Sequence, residues 1–404
     1  MKSQWKEMPF GDFATLQRGA DLPIQDRKLG KYPIVASNGV VGFHEAFVSQ
    51  GPGVVTGRSR TIGKPTYIAG PFWPLNTVLW VSDFHENNPR FAYFFFKFFD
   101  FSQYSTGATV PTLNRNFVHP ILIKVPQKPE QVKIAAVLWT VQHAIEVEEK
   151  LIETARDLKQ SAMQKLFVYG LRNESQKATP YGEVPKSWEI KNLSEWAFVQ
   201  SGATKGRLIS PEDAIEVPYL RVANVQDGHL DLAEMKSIRI RRNELEGYRL
   251  QKDDVVLTEG GDFDKLGRGF IWEGQIDPCV HHNHIFAVRV NREYLWPLYF
   301  TYLAQSPYGK AYFLTVAHKT TNLACINTTK LRAFPVLRPE LDEQKEIATI
   351  LQTIDRKILL HERRRAVLSD LFKILLNQLM TAQIRVDKLD IDTSEVTKSL
   401  ELTN

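Results

Sequence analysis

The sequence predicts an α+β protein built twice: two mixed domains alternate with two long helices in a pseudo-twofold repeat. Three observations predict it. At 404 residues the chain is too long for one ordinary domain. It matches itself at an offset of 213. Two uninterrupted heptad runs stand at equivalent places in the two copies.

The repeat is clearest where the helices open. Pro129-Glu130-Gln131-Val132-Lys133-Ile134-Ala135 reads against Asp342-Glu343-Gln344-Lys345-Glu346-Ile347-Ala348 without a gap. Leu113-Asn114 matches Ile326-Asn327, and Pro126 matches Pro339. Further upstream the offset drifts, as loop insertions require. Asn76-Thr77-Val78-Leu79-Trp80-Val81 resembles Asn283-His284-Ile285-Phe286-Ala287-Val288, and Trp5, Gln17 and Gly19 meet Trp188, Gln200 and Gly202. The second block is longer, and its extra residues enter before the shared Asn.

The helices follow from apolar spacing. Ile134, Val141, Ala155 and Ala162 form one row of the first helix, and Leu138, Ile145, Ile152 and Leu166 the other. The second helix has Ile347, Ile354, Leu368 and Leu375 with Leu351, Ile358, Phe372 and Leu379. Neither run holds Pro or Gly, so each extends about 38 residues, on the order of 57 Å. Glu148 and Lys159 interrupt the first pair of rows, His361 and Arg365 the second. Glu148 and His361 are equivalent positions. They either pair and fix register or are unrelated solvated positions.

The blocks between read as short strands and turns. Gly53-Val54-Val55, Thr66-Tyr67-Ile68, Val78-Leu79-Trp80-Val81, Asp254-Val255-Val256-Leu257 and Ile285-Phe286-Ala287-Val288 are β-like. One aromatic helix is expected in each block, over 91–99 and 297–303. These features divide the chain into a domain at 1–128, a helix at 129–170, a domain at 171–339, a helix at 340–385 and a flexible acidic tail at 386–404.

Composition excludes several classes. An apolar fraction of 43% and a charged fraction of 24% suit a globular chain, not a disordered one. No run of about 18 uncharged apolar residues crosses a membrane. The two cysteines, Cys279 and Cys325, cannot build a disulfide scaffold, and no leader peptide is visible, so a cytoplasmic location is expected. Net charge is +5 and uneven. Residues 1–128 hold 14 Lys and Arg against 8 Asp and Glu, which favours a phosphate-facing surface there.

No catalytic set emerges. There is no G-x-x-x-x-G-K-[ST] and no G-x-S-x-G. Glu259-Gly260-Gly261-Asp262, followed by Gly267-Arg268-Gly269, lacks P-loop order and reads as a mobile loop. Asn88-Pro89-Arg90-Phe91 is close to the Asn-Pro-Pro-aromatic motif of amino-methyltransferases, but Arg90 replaces the second proline, so it reads as a helix-opening turn. Asp231 and Glu234-Met235-Lys236 are spaced too closely for a nuclease metal site. Cys279-Val280-His281-His282-Asn283-His284 is too crowded for one tetrahedral zinc. No metal is expected.

Recognition chemistry remains, in loops. Gln17-Arg18-Gly19-Ala20 pairs with Gln200-Ser201-Gly202-Ala203-Thr204-Lys205, and Ser105-Thr106-Gly107-Ala108-Thr109 with His318-Lys319-Thr320-Thr321-Asn322. Gly57-Arg58-Ser59-Arg60-Thr61 follows a strand. Arg and Lys reach guanine edges or phosphates, Asn and Gln reach adenine, and Thr touches the thymine methyl.

With these parts the chain resembles the specificity (S) subunit of bacterial and archaeal type I restriction–modification systems. The resemblance rests on E-Q-x-x-I-A-x-x-L at both helix starts (Glu130, Gln131, Ile134, Ala135, Leu138; Glu343, Gln344, Ile347, Ala348, Leu351). It rests also on Val217-Pro218-Tyr219-Leu220-Arg221-Val222-Ala223-Asn224-Val225 and Leu250-Gln251-Lys252-Asp253-Asp254-Val255-Val256. It covers about 1–385. Tyr32-Pro33-Ile34-Val35-Ala36-Ser37-Asn38-Gly39 is a diverged version of the 217–225 segment.

The resemblance implies two target-recognition domains joined by an antiparallel coiled coil. Each domain reads half of a bipartite double-stranded DNA site, and the helices set the unread spacer. It further implies two methyltransferase subunits docked on the helices, restriction subunits beyond them, and a role in phage defence. Catalysis, with S-adenosylmethionine, ATP and Mg, then belongs to the partners, and this chain is no enzyme.

Expected DNA-facing residues are Arg18, Arg58, Ser59, Arg60, Lys64, Thr106, Thr109, Arg115, Ser201, Thr204, Lys205, Arg221, Asn224, Lys265, Arg268, Lys319, Thr320, Thr321 and Asn322. Expected partner-binding residues on the helices are Gln131, Ile134, Leu138, Ile145, Gln344, Ile347, Leu351 and Ile358. The rival readings are a self-contained DNA methyltransferase or nuclease, which lacks its motifs, and a coiled-coil scaffold that binds protein only.

Overall fold

The computed structural model describes residues 5–59, 61–107, 111–226, 228–261, 263–319, 324–394 and 396. The chain forms two compact units, Met1–Lys150 with Glu362–Asn404, and Leu151–His361. The long helices span Lys128–Tyr169 and Leu341–Met380. Each is divided between the units rather than standing as a segment of its own. The cause is packing: each helix start is built into the core of the domain that precedes it.

In the first unit a four-stranded sheet runs in the order Thr15–Arg18, Val78–Asp83, Gly53–Gly57, Thr66–Ile68. The helix Pro89–Phe98 lies in the same core, with Phe91, Phe94 and Phe96 fully buried beside Phe10 and Phe13. It starts where it does because the Asn88 side chain accepts from Phe91 N at 2.9 Å and Pro89 fills the first turn. A hairpin, Tyr32–Ala36 with Gly39–His44, runs parallel to Trp73–Pro74.

The second unit repeats this frame. Its sheet runs Ala197–Ser201, Ile285–Val290, Val255–Thr258, Gly269–Ile271. Its hairpin, Ala214–Leu220 with Lys236–Arg241, runs parallel to Val280–His281. Pro33 and Pro218 thus sit in equivalent strands. Part of the extra length of the second block lies in this hairpin's loop, over 221–235, where the first unit has only Ser37 and Asn38. Two helices, Pro297–Gln305 and Pro307–Val316, stand where the first unit has one.

Within each unit the start of one long helix packs beside the end of the other, so they run antiparallel. Ile134 and Leu138 share a core with Phe372, Leu375 and Leu379. Ile347 and Leu351 share the other core with Met163 and Leu166. The seam break at Lys159 is filled: its Nζ lies 2.7 Å from Asp355, which also accepts from the Tyr302 hydroxyl at 2.7 Å. Arg365 is exposed.

The helix ends differ from expectation. The tail, expected to be flexible, is packed over its described part: Val386 and Val396 are buried. Arg385 grips Glu130 with two bonds of 2.6 and 2.9 Å, and Lys133 Nζ donates to the Asp387 and Leu389 carbonyls. Its second-unit counterpart, Glu343, accepts from Leu171 N at 3.1 Å. There the chain continues into a small hairpin, Gln176–Thr179 with Gly182–Pro185. Each helix-opening glutamate therefore holds the chain leaving the other helix.

Candidate nucleic-acid interface

One pair of backbone bonds, a clasp, follows the third strand of each sheet, Gly53–Gly57 in the first domain and Val255–Thr258 in the second. In the first domain, Arg58 N donates to Thr77 O at 3.0 Å and Leu113 N donates to Arg58 O at 2.7 Å. In the second, Glu259 N donates to His284 O at 2.9 Å and Ile326 N donates to Glu259 O at 2.9 Å. This clasp brings two loops together in each domain. Ser59 bridges to Thr112, whose strand Thr112–Leu113 pairs with Ser105–Thr106. Gly260–Gly261 pairs with Ala324–Cys325, which pairs with His318–Lys319. The Gly260-Gly261 segment, expected as a mobile loop, is thus a strand in a three-stranded sheet.

The Gln-x-Gly loops join by close approach. A Cβ on Gly19 would stand 2.2 Å from the Leu75 carbonyl oxygen, and one on Gly202 2.0 Å from that of His281. Only glycine fits either place.

Arg18, Lys64, Thr106, Arg115, Ser201, Thr204, Lys205 and Lys319 are exposed, and Arg58, Ser59 and Lys265 are half-buried. Ser201 Oγ shares a hydrogen bond with Thr328 at 2.9 Å. Arg60, Thr109, Thr320, Thr321 and Asn322 lie outside the described residues.

Three predicted readers help to build the loop, and one of them, Asn224, is buried in it. Asn224 is 3% exposed. Its Oδ1 accepts from Arg221 N at 2.9 Å, and its amide donates to the carbonyls of Asp231 and Glu234. Arg221 donates to the Glu234 carbonyl at 2.8 Å. Arg268 reaches Gln226 Oε1 and the Val222 carbonyl at 3.3 and 3.4 Å. Their donors hold the 222–235 segment together with a small apolar cluster that buries Val225 and packs Val222, Leu230, Leu232 and Met235.

The helix motif also needs correction. Gln131 and Gln344 are 1% and 0% exposed, and Ile134, Leu138, Ile347 and Leu351 are equally buried, so they form no partner surface. Gln131 Oε1 accepts from Asn88 N at 2.9 Å while its amide donates to Asn87 Oδ1 and the Pro126 carbonyl. Gln344 Oε1 accepts from Trp296 N at 2.8 Å while its amide donates to the carbonyls of Tyr294 and Pro339. The glutamine ties each helix start to the aromatic helix of its domain. Ile145 and Ile358 remain half-buried.

Sequence reasoning missed Glu259 and His284, whose Nδ1 meets Glu259 Oε2. The repeat itself could have found them, since His284 aligns with Thr77. In the crowded Cys/His run, Cys279 is fully buried and burial pushes its thiol up to about 12. His281 is buried too, and burial pushes its imidazole down to about 4. Among the described residues no group of His, Cys, Asp or Glu could hold a metal, and no helix is long and apolar enough to cross a membrane.

The sequence family described as the type I restriction modification DNA specificity domain matches twice, over 2–156 and 185–370. The chain belongs to this family. It is 27% identical over 212 residues to the putative type I restriction enzyme MjaX specificity subunit of Methanocaldococcus jannaschii, covering 52% of this chain and 49% of that protein. The chain thus spans about half the length of that relative. The MjaVIII specificity subunit of the same organism is 26% identical over 294 residues, covering 70% of this chain and 67% of that one. The crystal structure of a type I restriction–modification S subunit from M. genitalium shares the fold at a TM-score of 0.63 and 16% identity, covering 94% of this chain and 96% of that one.

Proposed function

We propose that this chain is the DNA-reading subunit of a type I restriction–modification complex, with each domain reading half of a bipartite site. The observation that carries the reading is the shared clasp. Two domains with little sequence in common bring the same loops together, and those loops carry exposed Arg, Lys, Thr and Ser suited to phosphates and base edges. Catalysis falls to partners: methyltransferase subunits using S-adenosylmethionine, and restriction subunits using ATP and Mg. This chain then contributes no chemistry of its own and works in the cytoplasm.

The partner surface moves from the motif residues to the outer helix faces. Val147 and Leu158 of the first helix, and Leu360, Val367 and Ile374 of the second, are between 41% and 68% exposed. Glu148, Arg363, Arg364, Val367 and Leu368 line a shallow apolar cleft in the first unit. Exposed apolar residues on a helix that already buries its core face mark a docking surface.

Exchanging residues 1–128 for the first domain of another family member tests the reading. Methylome sequencing of cells making the hybrid with its methyltransferase subunit should show one half-site replaced and the other kept. Both half-sites altered, or neither, sinks it.

A further inference from the structure

Arg58 and Glu259 occupy one structural position. Each is clasped by the same two backbone bonds, from its own N–H to the residue before the central strand and from Leu113 or Ile326, at the end of the late hairpin, to its carbonyl. Each leads into a strand segment that pairs with that hairpin. Their charges are opposite. Lys205, His282, His284 and Lys319 belong to the loops around Glu259.

A carboxylate on a face that approaches phosphates is repelled at long range. It is tolerated where a close contact repays it. An ionised carboxylate only accepts hydrogen bonds. In the major groove adenine offers a donor beside an acceptor, and guanine offers two acceptors, whereas cytosine offers its N4 amine alone. The cytosine edge is therefore the one a carboxylate meets without a repulsive neighbour. His284 Nδ1 engages Oε2, one of the two carboxylate oxygens, and the Glu259 side chain keeps 26% of its surface exposed.

We propose that Glu259 is a specificity-determining residue that accepts a hydrogen bond from a cytosine amine in the second half-site, with His284 as its positioning residue. Arg58 addresses the matching position of the first half-site with the opposite polarity, donating to guanine. The inference rests on the DNA-reading function proposed above.

The test uses the complete complex with its methyltransferase subunits. Binding is measured on duplexes in which each base pair of both half-sites is varied in turn. The unaltered complex should lose roughly tenfold or more in affinity when one cytosine of the second half-site is replaced. Glu259→Gln keeps size and clasp but adds a donor; it should reduce that preference to about threefold or less while every other position keeps its own. His284→Ala should weaken the preference without moving it. An unchanged base preference in Glu259→Gln overturns the proposal. So does loss of preference across the whole second half-site with an unchanged melting temperature, which would make Glu259 a loop-shaping residue. An unaltered complex with no base preference anywhere would instead refute the DNA-reading function itself.

Discussion

The two domains share their frame down to single backbone bonds, yet differ in the side chains held at those bonds. The hairpin turn that the first domain makes with Ser37 and Asn38 becomes the segment 221–235 in the second. The clasp holds Arg58 in one and Glu259 in the other. The residue whose carbonyl accepts from the Gln-x-Gly loop is Pro74 in one and His281 in the other. The lesson is a division of labour. Backbone bonds and close glycine contacts, which do not depend on side-chain identity, carry the scaffold. Side chains at those fixed points are then free to differ, which is what reading two different sequences requires.

His281 gives the largest way to break the symmetry. It is fully buried, Nδ1 lies 2.8 Å from the Ile285 carbonyl, and burial depresses its imidazole to about 4 from an ordinary 6.5. An unfolded chain takes up this proton below pH 6.5, but the folded domain refuses it until about pH 4. Stability contributed by the neutral ring is therefore present above pH 6.5 and is lost as pH falls towards 4, on the order of 3 kcal/mol in all. Proline at position 74 has no such group. In urea unfolding followed by peptide-resolved hydrogen exchange, peptides from 151–361 should lose more stability between pH 6.5 and 4 than those from 1–150. An equal acid shift in both units counts against the assignment.

Where the domains agree, substitutions should agree too. Gln131→Ala and Gln344→Ala each leave a backbone N–H without its acceptor, that of Asn88, which is buried, or that of Trp296, which is partly buried. A stranded buried donor costs about 1–3 kcal/mol, so each variant should lose about 2 kcal/mol in its own unit. The measurement is the same exchange experiment at neutral pH. A loss confined to one of the two variants would mean that the repeat is formal and not energetic.

How much of this was legible in the sequence depends on whether a feature is periodic. The helices were, because Ile134, Leu138 and their successors recur every third or fourth residue. So were the sheet strands such as Val78–Asp83, as short apolar runs between turns. The meaning of Glu-Gln at the helix starts was not. A polar pair opening an amphipathic helix has the same pattern whether it meets a partner or its own domain, and only the position of Asn88 and Trp296 shows the latter. The loop-building contacts of Asn224, Arg221 and Arg268 were not legible for a related reason: residue types that can read a base can equally satisfy loop carbonyls. Glu259 was passed over because a carboxylate is an unusual choice for a DNA-facing loop until its equivalence with Arg58 is seen.

Arg58 gives the smallest expected effect and the one that bears most directly on the comparison. Its backbone is held by the clasp, and no ion pair engages its side chain among the described residues, whereas Glu259 is paired with His284. A surface arginine paired with a carboxylate would contribute about 0–1 kcal/mol to stability. An arginine placed on guanine would instead contribute about 1–3 kcal/mol of discrimination, and one placed on phosphate mainly affinity and salt slope. Arg58→Ala should therefore leave the melting temperature unchanged and weaken binding of the complex to cognate DNA by at least about 1 kcal/mol. Titration against cognate and scrambled duplexes at two salt concentrations separates the contacts. A loss confined to cognate DNA, with the salt slope kept, places Arg58 on a base. A uniform loss with a shallower slope places it on the backbone. Unchanged affinity and slope would remove the 57–61 loop from the DNA-facing surface, and the clasp would then be a scaffold feature that happens to end in a charge.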